Sequence, residues 1–108
     1  MDLFQLQLVY RGAKADSGKK FLFLEDEDGT RLELFSDSNP KPLRENLRDT
    51  KNIGMKHIAF AVDNIEAFLK KHENKKIQIL NPIKKGTSVK RYMFIVDPDN
   101  IPIELFEV

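Results

Sequence analysis

At 108 residues the chain is long enough for one domain, or for two small halves sharing a core. It is 41% hydrophobic and 32% charged, with 18 basic against 17 acidic side chains. That is ordinary for a soluble globular protein, and the near-zero balance gives no reason to propose nucleic acid or an anionic membrane as partner. Cysteine is absent, which excludes disulfides and thiolate chemistry, so a metal would need imidazole, carboxylate or water ligands. No apolar run is long enough to span a membrane, residues 1–20 have no signal-like apolar core, and the absence of cysteine fits an expected cytoplasmic location.

In chain order, Leu3 to Tyr10 interleaves apolar residues with Gln5 and Gln7 and is expected to be a strand. The polar, glycine-containing stretch RGAKADSGKK should connect it to the next. Phe21 to Leu24 and Arg31 to Phe35 are expected as strands joined by a turn over Asp26 to Gly29. Asp37 to Asn52, with two prolines and mixed charges, looks like a linker, and Met55 to Val62 like a strand. A helix should follow, capped by Asp63 with Glu66 three residues on. Ile65, Phe68, Leu69 and His72 fall at helical spacing, Lys70 and Lys71 suit its C-terminal end, and Asn74 is a plausible stop. Lys76 to Leu80 is expected as a strand and Pro82 to Val89 as a loop, before a closing hairpin from Tyr92 to Val108.

The strongest organising signal is an internal repeat. Phe4–Asp37 aligns without a gap on Lys75–Val108, 71 positions later, with 10 identities in 34 positions. Chance at ordinary compositions would give about two. The identities include Ser17/Ser88, Phe23/Phe94, Asp26/Asp97, Asp28/Asp99, Glu33/Glu104, Leu34/Leu105 and Phe35/Phe106. The second copy reads strand, helix, strand, strand, strand, and the first only the last three strands. The counterpart of His57 falls at 57 − 71 = −14, so a first strand and helix are expected to be missing from the first copy.

Side chains alternate along strands. Ile58, Phe60 and Val62 therefore share one face, and His57, Ala59 and Ala61 the other. In the last strand Ile103 and Leu105 lie opposite Glu104 and Phe106. The aliphatic faces suit packing under the helix, which leaves a histidine and a glutamate on the other face, with alanines leaving open space. A carboxylate in an apolar setting is costly unless paired or metal-bound, and His with Glu on neighbouring strands is a reasonable start for a divalent-metal site. Two readings stand for each of these residues. A strand histidine is commonly a hydrogen-bonded structural residue, and Glu33 and Glu104 are equally compatible with solvated outer faces. Asp26, Asp28, Asp97 and Asp99 resemble calcium ligands in number, but their turn positions favour a backbone role. His72 is expected at the surface, and Lys84, Lys85, Lys90 and Arg91 in a solvated basic loop that could meet an anionic substrate group.

The segments LELFSDSNPKP, GMKHIAFAVDNIEAFLKKH and DPDNIPIELFE resemble the vicinal oxygen chelate superfamily, nearest to small bacterial glyoxalase I-like proteins of the lactoylglutathione lyase and bleomycin resistance type. The resemblance runs from about Leu3 to Val108. It implies an α+β fold of paired βαβββ modules around a cavity, with an incomplete βββ first module at 1–37, a linker at 38–52 and a complete second module at 53–108. It implies a divalent metal, Zn or Ni first and Co, Mn or Fe as alternatives, with His57, Glu104 and Glu33 as ligands. The family's fourth ligand, on the first strand of module one, has no counterpart here, and Asn100-Ile101 replaces the usual Gly-Asn of the turn. The implied activity is a glyoxalase-type lyase or isomerase acting on a small carbonyl or hemithioacetal through an enediolate, with Glu104 or Glu33 moving the proton. The alternatives are a non-catalytic drug-binding protein using the same cavity, or an inactive fragment. In the first copy Leu22, Leu24, Leu32 and Leu34 occupy the face that a complete module's helix would cover. A bare patch of that kind predicts a homodimer in which another chain covers it or pairs with the open sheet edge.

Overall fold

In the computed structural model, the register of one hairpin repeats that of another, 71 residues away. Strands β2 (Lys20–Glu25) and β3 (Arg31–Ser36) pair antiparallel from Lys20↔Ser36 to Glu25↔Arg31. Strands β7 (Arg91–Val96) and β8 (Pro102–Glu107) pair from Arg91↔Glu107 to Val96↔Pro102, the same six pairs shifted by the repeat. The structure describes residues 2–14, 18–43 and 46–108. Ser17 of the repeat, and residues 44 and 45 of the expected linker, lie outside them.

The turns repeat as closely. In the first hairpin Asp26 Oδ1 accepts from the backbone N–H groups of Asp28 and Thr30, each at 2.9 Å. In the second Asp97 Oδ1 accepts from Asp99 and Ile101 at 2.9 and 2.8 Å. Gly29 (φ 83°) and Asn100 (φ 66°) both take the left-handed conformation that closes such a turn. Asparagine is the non-glycine residue best suited to it, so the Asn100 departure leaves the turn geometry intact.

The chain divides into two units, Met1–Pro42 and Leu43–Val108. In the first, β1 (Gln7–Ala13), β2 and β3 form an antiparallel sheet in that order. The strand expected over Leu3 to Tyr10 is displaced. A short 3₁₀ turn occupies Asp2–Phe4, Gln5 has a positive φ of 54°, and pairing begins only at Gln7. Residues 11–13, expected as connection, are strand because they lie opposite 20–22, and Lys14 N–H donates to the Lys19 carbonyl at 2.9 Å to close the hairpin. Gly12 permits the Tyr10 and Phe21 rings to stack with centroids 5.8 Å apart, since a Cβ there would meet the Phe21 ring at 2.5 Å. The leucine face is not bare: Leu24 is 1% exposed and Leu22 and Leu32 are half-buried, with Leu34 alone exposed.

The second unit contains β4 (Ile58–Ala61), α1 (Ile65–Lys71), β5 (Gln78–Ile79), β6 (Lys84–Lys85), β7 and β8. Its sheet order is β4-β8-β7-β5, with β4 parallel to β8 and β6 pairing with β7. The helix lies between the first two strands of this βαβββ arrangement, giving the chain a mixed α+β fold. Ile65, Met93, Ile95 and Leu105 are almost fully buried and mark the core on the helix side.

Two local expectations are corrected. The helix cap is Asn64, not Asp63: Asn64 Oδ1 accepts from Ala67 N–H at 2.8 Å, and Glu66 is drawn away to Arg91 instead of completing a capping box. The loop expected after Pro82 contains β6, because Asn81 carries the ladder past a proline that cannot donate. Its Oδ1 accepts from Phe94 N–H at 3.0 Å, and pairing resumes at Lys84↔Tyr92.

Candidate functional site

The face of the second sheet away from the core carries the expected chemistry. Ala59↔Glu104 across β4–β8 and Phe94↔Glu104 across β7–β8 place these three residues together on that face. Ala59 and Ala61 are exposed while Ile58 and Phe60 are half-buried, so the alternation expected for this strand holds. The strand itself is shorter than Met55 to Val62, and His57 lies one residue before it. Its ring meets Phe94 edge to face, with centroids 4.9 Å apart and planes at 88°. His57 and Glu104 are thus both neighbours of Phe94, one by ring contact and one across the ladder.

Glu104 is half-buried, with no hydrogen-bond or ion-pair partner among the described residues. Such a carboxylate is costly to keep from water and is available to a ligand. Glu33 occupies the same register position in the first unit, directly across from Phe23, and is exposed. Imidazole and carboxylate from one sheet face are the right donor types for a divalent ion, so the second unit fits part of a metal site. Among the described residues, however, no group of three or more His, Asp or Glu is gathered to hold a metal ion. Asp26 and Asp97 are committed to their turns.

Beside His57 is a half-open cleft of about 380 Å³, lined by His57, Phe94, Leu80, Pro102, Asn81, Lys56, Leu47, Arg48 and Thr50. Its outer part comes from the segment expected as linker, which two side-chain-capped turns order: Asn46 Oδ1 accepts from Arg48 N–H at 3.1 Å and Asp49 Oδ1 from Lys51 N–H at 3.0 Å. Glu104 lies outside this lining, beyond Phe94. Sequence reading missed the cleft, although the Asn46-to-Asp49 pattern is a readable turn signal.

It also missed an ionic cluster on the opposite face. Glu107 follows Ile103 and Leu105 on the core side, and only 4% of its side chain is exposed. Arg91, directly across the ladder, donates through Nε to Glu107 Oε1 at 2.9 Å and through Nη1 and Nη2 to both Glu66 oxygens at 2.6 and 2.7 Å. Glu107 Oε2 also accepts from the Ile65 N–H at 2.8 Å, a free donor at the start of the helix. Arg91 first, and then this backbone donor, hold the Glu107 carboxyl down at about 2. The same network raises Arg91. Of the expected basic loop, Arg91 is therefore structural. His72, expected at the surface, is 6% exposed and tilted against Phe68, and burial lowers its pKa.

The chain's relatives agree with this architecture. Residues 1–105 match the model of the Glyoxalase/Bleomycin resistance protein/Dioxygenase superfamily. YaeR of Escherichia coli K12, described as an uncharacterized protein, is 35% identical over 101 residues, covering 92% of this chain and 72% of YaeR. A glyoxalase family protein from Enterococcus faecalis superposes with a TM-score of 0.76 at 23% identity, over 98% of this chain and 81% of that one. The trypanothione-dependent glyoxalase I of Leishmania major superposes with a TM-score of 0.71 at 20% identity, over 98% and 71%. The chain belongs to the Glyoxalase/Bleomycin resistance protein/Dioxygenase superfamily.

Proposed function

We propose that this protein is a glyoxalase-type lyase or isomerase acting on a small carbonyl or hemithioacetal, with His57 and Glu104 as donors to a divalent metal and Glu33 as the donor from the first repeat. The observation that carries the reading is the unpartnered Glu104, set across from Phe94 and duplicated at the same register position by Glu33 across from Phe23. Zn or Ni suits this donor set best, with Co, Mn or Fe as alternatives. A metal held there would supply Lewis-acid stabilisation of negative charge on neighbouring substrate oxygens. The carboxylate of Glu104, or of Glu33, moves the proton between adjacent substrate carbons. Phe94 beside Glu104 and the open alanine face leave room there for a small substrate. The superfamily membership, and the likeness in fold to a glyoxalase I, support the reaction class.

The test is turnover of the methylglyoxal–glutathione hemithioacetal by metal-loaded protein. Activity that falls by about 10²-fold or more in Glu104→Gln supports the proposal. No turnover by fully metallated protein rules out the glyoxalase I reaction. A second reading, small-molecule binding without catalysis, is favoured by the apolar cleft at His57 and by the lack of a third gathered donor among the described residues.

The partner we propose is a second copy of the chain. Among the described residues β3 is paired only to β2, whereas its repeat counterpart β8 is flanked by both β7 and β4. A homodimer sharing or exchanging strands would occupy that edge.

A further inference from the structure

We infer that the cleft beside His57 selects small organic acids, molecules that carry one oxyanion, carboxylate or phosphonate, on an apolar body. Its lining includes two permanent cations, Arg48 and Lys56, and no carboxylate. Neither cation has an ion-pair or hydrogen-bond partner among the described residues, in contrast to Arg91 and Arg31, which are both bridged to glutamates. The acid nearest in sequence, Asp49, does not line the cleft, and its carboxylate accepts from the Lys51 N–H.

Apart from His57, Thr50 and Asn81, the rest of the wall is apolar. Leu80, Phe94 and Pro102 come from the sheet and Leu47 from the ordered turn segment. Asn81 adds little that is free, because its Oδ1 is taken by Phe94 N–H and its Nδ2 by the Pro82 carbonyl at 2.7 Å. A concave apolar wall next to unneutralised cations focuses positive potential on whatever enters. Arginine adds a planar fork that matches a carboxylate or phosphonate in two-point geometry. At about 380 Å³ the space suits a ligand of roughly ring-plus-acid size. The inference rests on the second reading above, that this cleft holds a ligand; it shares only His57 with the proposed metal site and needs no metal.

The test is a chemical-shift titration of EDTA-treated, ¹⁵N-labelled protein with phenylacetate, phenylphosphonate and the neutral 2-phenylacetamide. Arg48 is exposed and Lys56 half-buried, so each should act modestly, and Arg48→Gln and Lys56→Gln are each expected to weaken acid binding by about 5-fold, with amide binding unchanged. Lys84→Gln, on β6 and outside the cleft lining, is the control and should change nothing. Retained amide binding and an unchanged thermal melt show that the variants fold. A preference between the two acids identifies which oxyanion fits better. Equal affinity for acid and amide, no binding of either acid, or losses no larger than in Lys84→Gln would overturn the inference. Metal content measured on the same protein before EDTA treatment reports separately: acid selectivity in a protein that takes no metal would remove the metal site alone.

Discussion

Glu104 stands directly across the β7–β8 ladder from Phe94, and the His57 ring meets that same Phe94 edge to face. Phe23 and Glu33 stand in the same relation across β2–β3. The repeat therefore preserves a specific cross-strand pair as well as a sequence pattern. On the opposite face of the same strands the two copies diverge: Arg91↔Glu107 is an ion pair where Lys20↔Ser36 is not.

The turn geometry makes a paired prediction. Asn100→Ala forces a side chain without local hydrogen bonding into the left-handed region and should cost about 1–2 kcal/mol. Asn100→Gly should be nearly neutral, since Gly29 fills the equivalent position. Denaturant melts of the two variants check this, and equal losses would contradict it.

The ionic cluster predicts an ordering. Glu107 is almost fully buried and serves both Arg91 and the start of α1, whereas more than half of the Glu66 side chain is exposed. Glu107→Ala should therefore lower the melting temperature more than Glu66→Ala, because it leaves Arg91 half-buried with only an exposed partner. Thermal melts that rank Glu66→Ala as the more damaging would count against this account.

Acid should act mainly through two buried groups, since Glu66, also held low by Arg91, is mostly exposed. The Glu107 carboxyl is held at about 2, below its ordinary 4.5, so the unfolded chain takes up its proton first. Its contribution is full above 4.5 and is lost as pH falls from there to about 2. His72 is lowered from 6.5 by burial, so the unfolded chain again binds the proton first, and stability begins to fall once pH drops below 6.5. Urea melts across this range should show both steps. Glu107→Gln should flatten the lower one and leave the upper one in place.

The free edge of β3 predicts association. Sedimentation at micromolar concentration should give a dimer, and Phe35→Pro, which removes a backbone donor that faces the open edge of that strand, should shift it toward monomer. A clean monomer in the unsubstituted protein would end the strand-sharing proposal.

Much of this was legible in the sequence because hairpins are local. The alternation around Glu104 and Glu33 and the Asp-led turns each depend on residues within one short segment, and the 71-residue offset is read by laying one such segment on another. What escaped depends on contacts between segments. Asn64 took the cap from Asp63 when Glu66 was drawn to Arg91, 25 residues away. His72 is buried against Phe68, one turn earlier, although the helix end suggested exposure. One signal was available and unread: continuing the alternation from Ile103 and Leu105 puts Glu107 on the core face, where a carboxylate demands a partner. The cleft is built by a segment whose composition resembles a linker, and only its ordered turns place Arg48 and Leu47 beside Phe94.

The most direct measurement of the central claim is metal content after loading with Zn or Ni and dialysis, for the unsubstituted protein and for His57→Ala, Glu104→Ala and Glu33→Ala. The account predicts stoichiometric metal in the unsubstituted protein, its loss in His57→Ala and Glu104→Ala, and weakened retention in Glu33→Ala. Protein that emerges without metal, or metal content that the His57 and Glu104 substitutions leave unchanged, would contradict it.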